Sequence, residues 1–519
     1  MRKHIAKTKM FFISAVMGAA LMIVLGSLFA DDLYDLAANN AVFTVKYYGS
    51  VTAFNKMEKG GKGSEDELYQ RAEMPEKTSG GIPVLLYHGV IKKPDGENIL
   101  TEDFQEQMFA LKKVGWKTIK LEDYRAFLKG EKILPEKSFL LTFDDGRVDS
   151  YYPVDHLLKL LDYTAVIFVI TEHSFHPKNS FYLTQKEMER MIKSGRWEIE
   201  AHTSRGHDLY DISSDGKQGH FYSNKLWIKE ADRLETEEEF AGRIDKDFRE
   251  AKSQLKQRLG IDSRVFAYPF GDYGQTTENF AGAEKIVLEK AKTLFDLSFY
   301  QFYEGEGQSY NYPGENIFLS KRISVRPEWT GDQLLEVLER GMAKNLPYQT
   351  DFFRNDGWLL SWGRLSLEDN SLILGADIND TGAVATLDGT YLWNNYVFSS
   401  EVVLMDGESF SLVVGYKNKD NYAFCSFGPF GAKLEQVLNG ERKILAERRG
   451  FLDLSGELKP QVALAGGAIS CSLGEKLLLI KTIEPEENLG RGGIGFQTWD
   501  PENNKSKLQV KNALVEKIN

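Results

Sequence analysis

The sequence predicts an α/β domain with a mainly parallel sheet, open or closed into a barrel, followed by an all-β sandwich and preceded by one N-terminal membrane-spanning helix. Three observations predict it. An unbroken apolar run fills residues 10–30. From 82 to 346 short apolar runs alternate with amphipathic helical patterns, as strands joined by helical crossovers do. From 352 onward only short alternating runs with Gly, Asn and Asp turns remain, a pattern that suits two packed sheets.

At the N-terminus, Arg2, Lys3, Lys7 and Lys9 precede the apolar run, and Asp31, Asp32 and Asp35 follow it. The run has the roughly 20 residues a helix needs to cross a bilayer, and the cations before it mark the cytoplasmic side. Residues 1–9 are therefore expected in the cytoplasm and the remainder outside, on a single-pass anchor. A cleaved signal peptide has a shorter core, ~7 to 15 residues, and small residues at both cleavage positions. Ala30 fits that pattern and Leu28 does not, so a retained anchor is the expectation. Residues 31–80, with "KGGKGSEDE" and "PEKTSGG", read as a polar tether.

The domain expected over 81–346 has strand-like runs in "IPVLLYHGV", "FLLTFDDG", "TAVIFVI", "WEIEAHT", "RVFAYPFG", "LSFYQ" and "IFLSKRISV". Amphipathic helices are predicted over 101–114, 184–193 and 236–259, each opened by a threonine able to cap it. In folds of this kind ligands sit at the C-terminal ends of the strands. The sandwich is expected over 352–519. With 519 residues there is room for both cores, and a net charge of −12 without a basic face excludes nucleic acid as a partner. The only cysteines, Cys425 and Cys471, lie in strand-like surroundings and either pair or serve as small core residues.

Three strand ends carry the candidate chemistry. "TFDDG" places Asp144 and Asp145 side by side, which on its own fits an ordinary solvated turn. "EIEAHTSRGHDLYD" presents His202 and His207, five apart and able to converge only through a turn at Gly206. Two histidines and one carboxylate make a three-ligand metal site with an open position for water. The second aspartate is then free to accept a proton, and a divalent ion keeps adjacent carboxylates ionised. His88 ends the first strand. His156, His173, His176 and His220 are unclustered and read as surface or core residues, and the aromatic insertion at 208–232 either shapes a cleft or packs on the domain.

"TFDDG", "HTSRGH" and "AYPFG", in this order and each after a strand, resemble the motifs of the polysaccharide deacetylase family, also called NodB-homology or carbohydrate esterase family 4. "LLYHGV" and "RLETEEEFAGRIDKDFREAK" are most similar to its poly-N-acetylglucosamine deacetylase branch. The resemblance implies a distorted (β/α) barrel, with Asp145, His202 and His207 holding zinc or a similar divalent ion. It implies Asp144 as general base, the Phe270 backbone N–H as oxyanion donor, and substrate binding by Tyr268, Pro269 and Gly271. The implied reaction is hydrolysis of N-acetyl groups on a polysaccharide to acetate and free amines, with export-system proteins as unidentified partners. Two positions depart from the family. Ala267 stands where an arginine often steadies the base, and Lys321 where a histidine usually supplies the acid. The poly-N-acetylglucosamine branch points to His88 as the acid, with Lys321 second because its ordinary pKa is above 10.

The sandwich resembles laminin-G or concanavalin-like modules through "DGTYLWNNYVFSSEVVLMDGESFSLVVGYKNKDNYAFCSF". Trp393, Tyr396, Tyr416, Tyr422 and Trp499 are the candidates for stacking on sugars, and core filling is the ordinary alternative for each. Two other functions remain open on sequence: a surface glycan binder with a degenerate barrel, motivated by Ala267 and Lys321, and an O-acetyl esterase using the same site.

Overall fold

The seven apolar runs become seven strands: β1 (Val84–Tyr87), β2 (Ser138–Phe143), β3 (Ala165–Ile170), β4 (Trp197–Thr203), β5 (Val265–Ala267), β6 (Leu297–Phe302) and β7 (Leu319–Ser324). The structure is a computed structural model that describes residues 77–518 apart from 177–179, 304, 379, 484–488 and 503–504. The strands pair in parallel in the order β1-β7-β6-β5-β4-β3-β2, and β2 returns to β1, so the sheet closes into a barrel. The short strand Lys117–Thr118 adds to the start of β2. The expected anchor at 10–30 and most of the tether lie outside the described residues. Among the described residues no helix is long and apolar enough to cross a membrane.

Strands β1, β2, β3 and β5 are buried along their whole length, because helices cover them outside and side chains fill the barrel inside. Val84, Leu140, Val166, Phe168, Val265, Ala267, Leu297 and Phe299 form the inner cluster. The intervening Leu85, Leu141, Ile167 and Phe266 belong to the larger core under the helices. Carrying the two-residue period forward puts His88, Asp144 and His202 on the inner side, at the C-terminal ends of their strands. Strand parity thus places these three residues, while Asp145 and His207 come from the turn and loop that follow β2 and β4.

The three predicted helices are α1 (Thr101–Lys113), α2 (Gln185–Ser194) and α3 (Glu237–Leu259). Thr184 and Thr236 cap α2 and α3 in capping boxes with Glu187 and Glu239. Thr101 does not cap α1, contrary to expectation: it is the first helical residue, and Leu100 precedes it without a side-chain cap. The cause is the short strand Ile99–Leu100, which pairs with Val90–Ile91 and runs straight into the helix. Thr101 Oγ1 instead donates to the Ile91 carbonyl at 3.0 Å.

The C-terminal unit is all β and antiparallel. A six-stranded and a seven-stranded sheet pack across one core that includes Phe398, Phe410, Val462, Phe496 and Val515, with a four-stranded sheet beside them. Strand Tyr348–Thr350 pairs with residues 513–515, so the sheet takes in residues ahead of the expected start at 352. Cys425 and Cys471 pair, with Cα atoms 6.0 Å apart and a sequence separation of 46, and tie the seven-stranded sheet to the six-stranded one. A loop of that length corresponds to about 4 kcal/mol in the chain-entropy description. The Cys425→Ala/Cys471→Ala protein is expected to unfold its sandwich at lower urea, and dithiothreitol should produce the same shift in the parent. An unmoved midpoint in both would remove the disulfide from the account of stability.

Burial corrects three of the five proposed sugar-stacking residues. Tyr396 is fully buried, its hydroxyl 3.0 Å from the Gly492 carbonyl and accepting the Gly415 N–H. Tyr416 is also enclosed, against Tyr422. Trp393 is buried at the junction with the barrel, where its Nε1–H donates to the Lys344 carbonyl at 2.7 Å. Trp393 and Tyr396 belong to the main sandwich core, and Tyr416 to a smaller cluster with Val413, Phe424 and Val437. Tyr422 and Trp499 remain half-buried. At the junction Gln308 Nε2–H donates to the Leu387 carbonyl, Ser309 N–H to buried Asp388, and Tyr312 stacks on Tyr391 at 4.6 Å.

Candidate active site

The turn after β2 does what two adjacent carboxylates require. Asp144 continues the strand's inward direction, while Asp145 (φ 72°) and Gly146 (φ 70°) are both left-handed. A side chain at Gly146 would lie 2.9 Å from Val169, so position 146 needs glycine for space as well as conformation. Left-handed backbone at a non-glycine residue costs on the order of 1–3 kcal/mol and is retained where surrounding structure enforces it. Here it swings Asp145 onto the same side as Asp144.

Across from this turn, His202 and His207 bring their Nε2 atoms to 3.5 and 3.0 Å from Asp145 Oδ1. The ligand atoms of these three residues all lie within 4.8 Å of one another. His202 is oriented by the Ala267 carbonyl, 2.7 Å from Nδ1, which leaves the Nε2 lone pair for Asp145's side of the site. His207 is carried by a loop that Asp247 on α3 braces. The Asp247 carboxylate accepts from Thr203 Oγ1, from the Ser204 and Arg205 N–H groups and from the Tyr222 hydroxyl. Gly206 is needed there for close packing, since a Cβ would meet Phe221, Thr203 and Tyr222 within 2.9 Å. Asp145 Oδ1 is buried and has no hydrogen-bond partner. An orphaned buried carboxylate oxygen facing two imidazole lone pairs is a poor protein–protein contact and a suitable cradle for a divalent cation.

Burial and neighbours set the charges. Burial pushes His202 down to about 4, against the pull of Asp144. For His207 burial also works downward, but the Asp145 carboxylate 3.0 Å away outweighs it and raises the imidazole above its usual value. Asp145 would be raised by burial and is instead held well below the carboxylate range by His207 and its neighbours. A cation entering this site displaces a proton, so its affinity rises with pH.

Asp144 is fully buried, and so is its partner, Arg322 on β7. The guanidinium forks onto the carboxylate, Nη1 to Oδ1 at 2.6 Å and Nη2 to Oδ2 at 2.7 Å. It also lies over Phe168 and Phe299, at 5.3 and 5.8 Å from the ring centres. Burial alone would raise Asp144, and the Arg322 charge, followed by His202, keeps it below the ordinary range. The arginine expected at position 267 is thus replaced from another strand. Lys321 faces the opposite way and pairs with Glu315 at 2.7 Å, which separates it from the aspartates.

His88 directly follows β1, where the Asp144 N–H donates to the neighbouring Tyr87 carbonyl at 3.1 Å. It is half-buried, and its charge acts on both Asp144 and Asp145. Phe270 (φ 59°) sits in a tight turn whose flanking Tyr268, Pro269 and Gly271 are buried. Tyr268 belongs to an aromatic cluster with Phe266, Phe248 and Tyr222, so it shapes the turn from behind. The Phe270 ring is 38% exposed and lies between two imidazoles: His207 at 4.6 Å, and His220 stacked at 4.5 Å with the planes 6° apart.

Sequence reasoning missed His220, Asp272, Asp247 and Arg322. His220 comes from the 208–232 insertion, and its Nδ1 is 2.7 Å from the buried Asp272 carboxylate. Asp272 follows the third motif directly, which is the only local signal for the pair. For Arg322 the signal was a charged residue on the inward parity of a buried strand, which demands a buried partner.

Residues 131–286 match the family model described as polysaccharide deacetylase, and the chain carries that domain. A poly-β-1,6-N-acetyl-D-glucosamine N-deacetylase of Escherichia coli (strain K12) is 24% identical over 244 residues, 44% of this chain and 35% of the relative. Its namesake in Staphylococcus aureus (strain MSSA476) is 28% identical over 178 residues, 34% of this chain and 54% of the relative. The alignments span between about a third and a half of these relatives' lengths. The structure of a de-N-acetylase from Aggregatibacter actinomycetemcomitans aligns 49% of this chain with 98% of its own, at 20% identity and TM-score 0.42.

Proposed function

We propose that the polysaccharide deacetylase domain of this chain hydrolyses N-acetyl groups of a β-linked N-acetylglucosamine polymer outside the cytoplasm, releasing acetate and leaving free amines. The observation that carries the reading is the Asp145, His202 and His207 cradle set beside a second aspartate clamped by Arg322. The two relatives' names supply the substrate class. The buried disulfide and the N-terminal apolar run both favour an extracytoplasmic address, with the run as the anchor.

Asp145, His202 and His207 would hold the divalent ion, which we take to be zinc because two imidazoles and one carboxylate form a common three-ligand set for it. Such an ion supplies Lewis-acid polarisation and a lowered pKa for bound water. The remaining work falls to the chain. Asp144 takes the proton from the attacking water, and Arg322 keeps that carboxylate ionised and fixed in orientation. The Phe270 N–H donates to the oxygen that becomes negative as the acetyl carbon turns tetrahedral. His88 gives a proton to the departing amine, without which the C–N bond would expel an unstable anion.

Acetate release from N-acetylglucosamine oligomers is the test. It is expected to stop with chelator and return on adding zinc, and no release with any linkage sinks the proposal. His88→Ala should retain bound metal and lose about a hundredfold in kcat; full activity there rejects His88 as the acid. Acetate released from acetylated xylan but not from the amino-sugar oligomers would turn the reading into that of an O-acetyl esterase. The non-catalytic reading rested on Ala267 and Lys321, and the Arg322 clamp answers the first of these departures.

A further inference from the structure

Two of the most exposed large apolar side chains among the described residues, Phe430 (84% exposed) and Phe451 (81%), stand on adjacent turns of the sandwich. The turns are bonded to each other, Gly450 N–H to the Phe430 carbonyl at 3.0 Å and Leu452 N–H to the Pro429 carbonyl at 3.2 Å. Two aromatic rings are thereby held in water on a fixed frame. Single exposed apolar residues are unremarkable, but a paired set at the edge of a polar cleft marks a contact surface.

The cleft is about 580 Å³ and runs from Phe430 to Trp499 over the outer face of the seven-stranded sheet. That volume lies within the ~300–1,000 Å³ of ordinary ligand sites. Strand register lines up Gln497, Ser411, Ser426 and Lys433 across four neighbouring strands, on the same face. The Ser411 and Ser426 hydroxyls are 2.9 Å apart. Glu435, 4% exposed, is forked by Arg442 at 3.0 and 3.1 Å. Gln497 is 8% exposed, and its Oε1 has no hydrogen-bond partner. Gly431 (φ 136°) lets the neighbouring strand approach, since a Cβ there would meet the Arg448 carbonyl at 2.0 Å.

We propose that this cleft binds a short run of uncharged pyranose rings of the polymer that the barrel deacetylates; the identity of that polymer rests on the function proposed above. A pyranose offers an apolar C–H face to an aromatic ring and equatorial hydroxyls that both donate and accept. The rim supplies the rings, and the floor supplies Arg442 as donor, Glu435 as acceptor and the Ser426 hydroxyl, which can do either. Within the cleft Arg442 pairs with Glu435, and Glu447 with both Lys433 and Arg449, so most of the lining charge is already compensated and an uncharged polymer fits it better than a polyelectrolyte. Holding the polymer on the same chain as the barrel raises its effective concentration at the catalytic site, into the millimolar range for a short connection.

The test is equilibrium co-sedimentation of the full chain with insoluble N-acetylglucosamine polymer, with acetate release read in the same samples. Phe430→Ala/Phe451→Ala is expected to weaken binding at least tenfold. Both positions are exposed, so the melting temperature should not move. Binding within twofold of the parent in this variant overturns the cleft, and acetate release in the same samples leaves the deacetylase proposal standing. Rim-dependent binding without acetate release does the reverse.

Discussion

The Asp144→Asn protein is expected to release acetate about a thousandfold more slowly than the parent at saturating oligomer, while still binding one divalent ion per chain. The amide preserves the shape of the carboxylate but cannot accept the water's proton, and general-base catalysis of this kind contributes about 10²–10⁴ in rate. Asp145, His202 and His207 are untouched, so metal content separates loss of the base from loss of the site. The amide also presents an NH₂ to one arm of Arg322, where Asp144 accepts through both oxygens. Some loss of stability should accompany the loss of rate. Acetate release within tenfold of the parent, in protein shown to be folded by circular dichroism, would remove Asp144 as the base.

The second large effect belongs to Arg322→Ala. Removing one partner of a fully buried ion pair leaves the other charge uncompensated, and typically costs about 3–5 kcal/mol. Arg322→Lys should recover part of the stability and little of the activity, because an ammonium cannot fork onto both oxygens or lie flat on Phe168 and Phe299. The pH dependence has a definite sign. In the parent, Asp144 is held below the value it has in the unfolded chain. Its stabilisation is therefore complete above roughly pH 4, and is lost as pH falls through the folded-state value. Without the guanidinium, burial dominates and raises the carboxyl, so folding favours its protonated form. The deficit of Arg322→Ala should be greatest at pH 7 and narrow below about pH 4. Urea unfolding of metal-stripped protein at both pH values checks this, since the proton is then the only ion exchanged at the site. An equal deficit at both would mean that Arg322 acts through packing alone.

Much of this protein was determined by sequence-local physics. Short continuous apolar runs separated by helical segments specified all seven barrel strands, because a strand buried on both faces has few alternatives to continuous apolar composition. Capping boxes at Thr184 and Thr236 fixed two helix starts, since their partners lie three residues away. The metal cradle was legible for a related reason: His202 and Asp145 sit at strand ends, where parity and a left-handed turn at Asp145 and Gly146 decide which way they face, and His207 follows His202 through a short turn.

Only the tertiary structure decided the rest, wherever the partner lies far along the chain. Arg322 is 178 residues from Asp144, and no local pattern distinguishes it from Lys321 beside it except which face of β7 each occupies. Barrel closure brings β7 next to β1, and that contact turns an apparent gap at Ala267 into a complete clamp. In the same way Cys425 and Cys471 were an undecided pair until two sheets packed face to face, and Trp393, Tyr396 and Tyr416 became core when those sheets and the barrel closed over them. Local sequence sets the direction in which a side chain points. Chain closure over long separations determines what it meets.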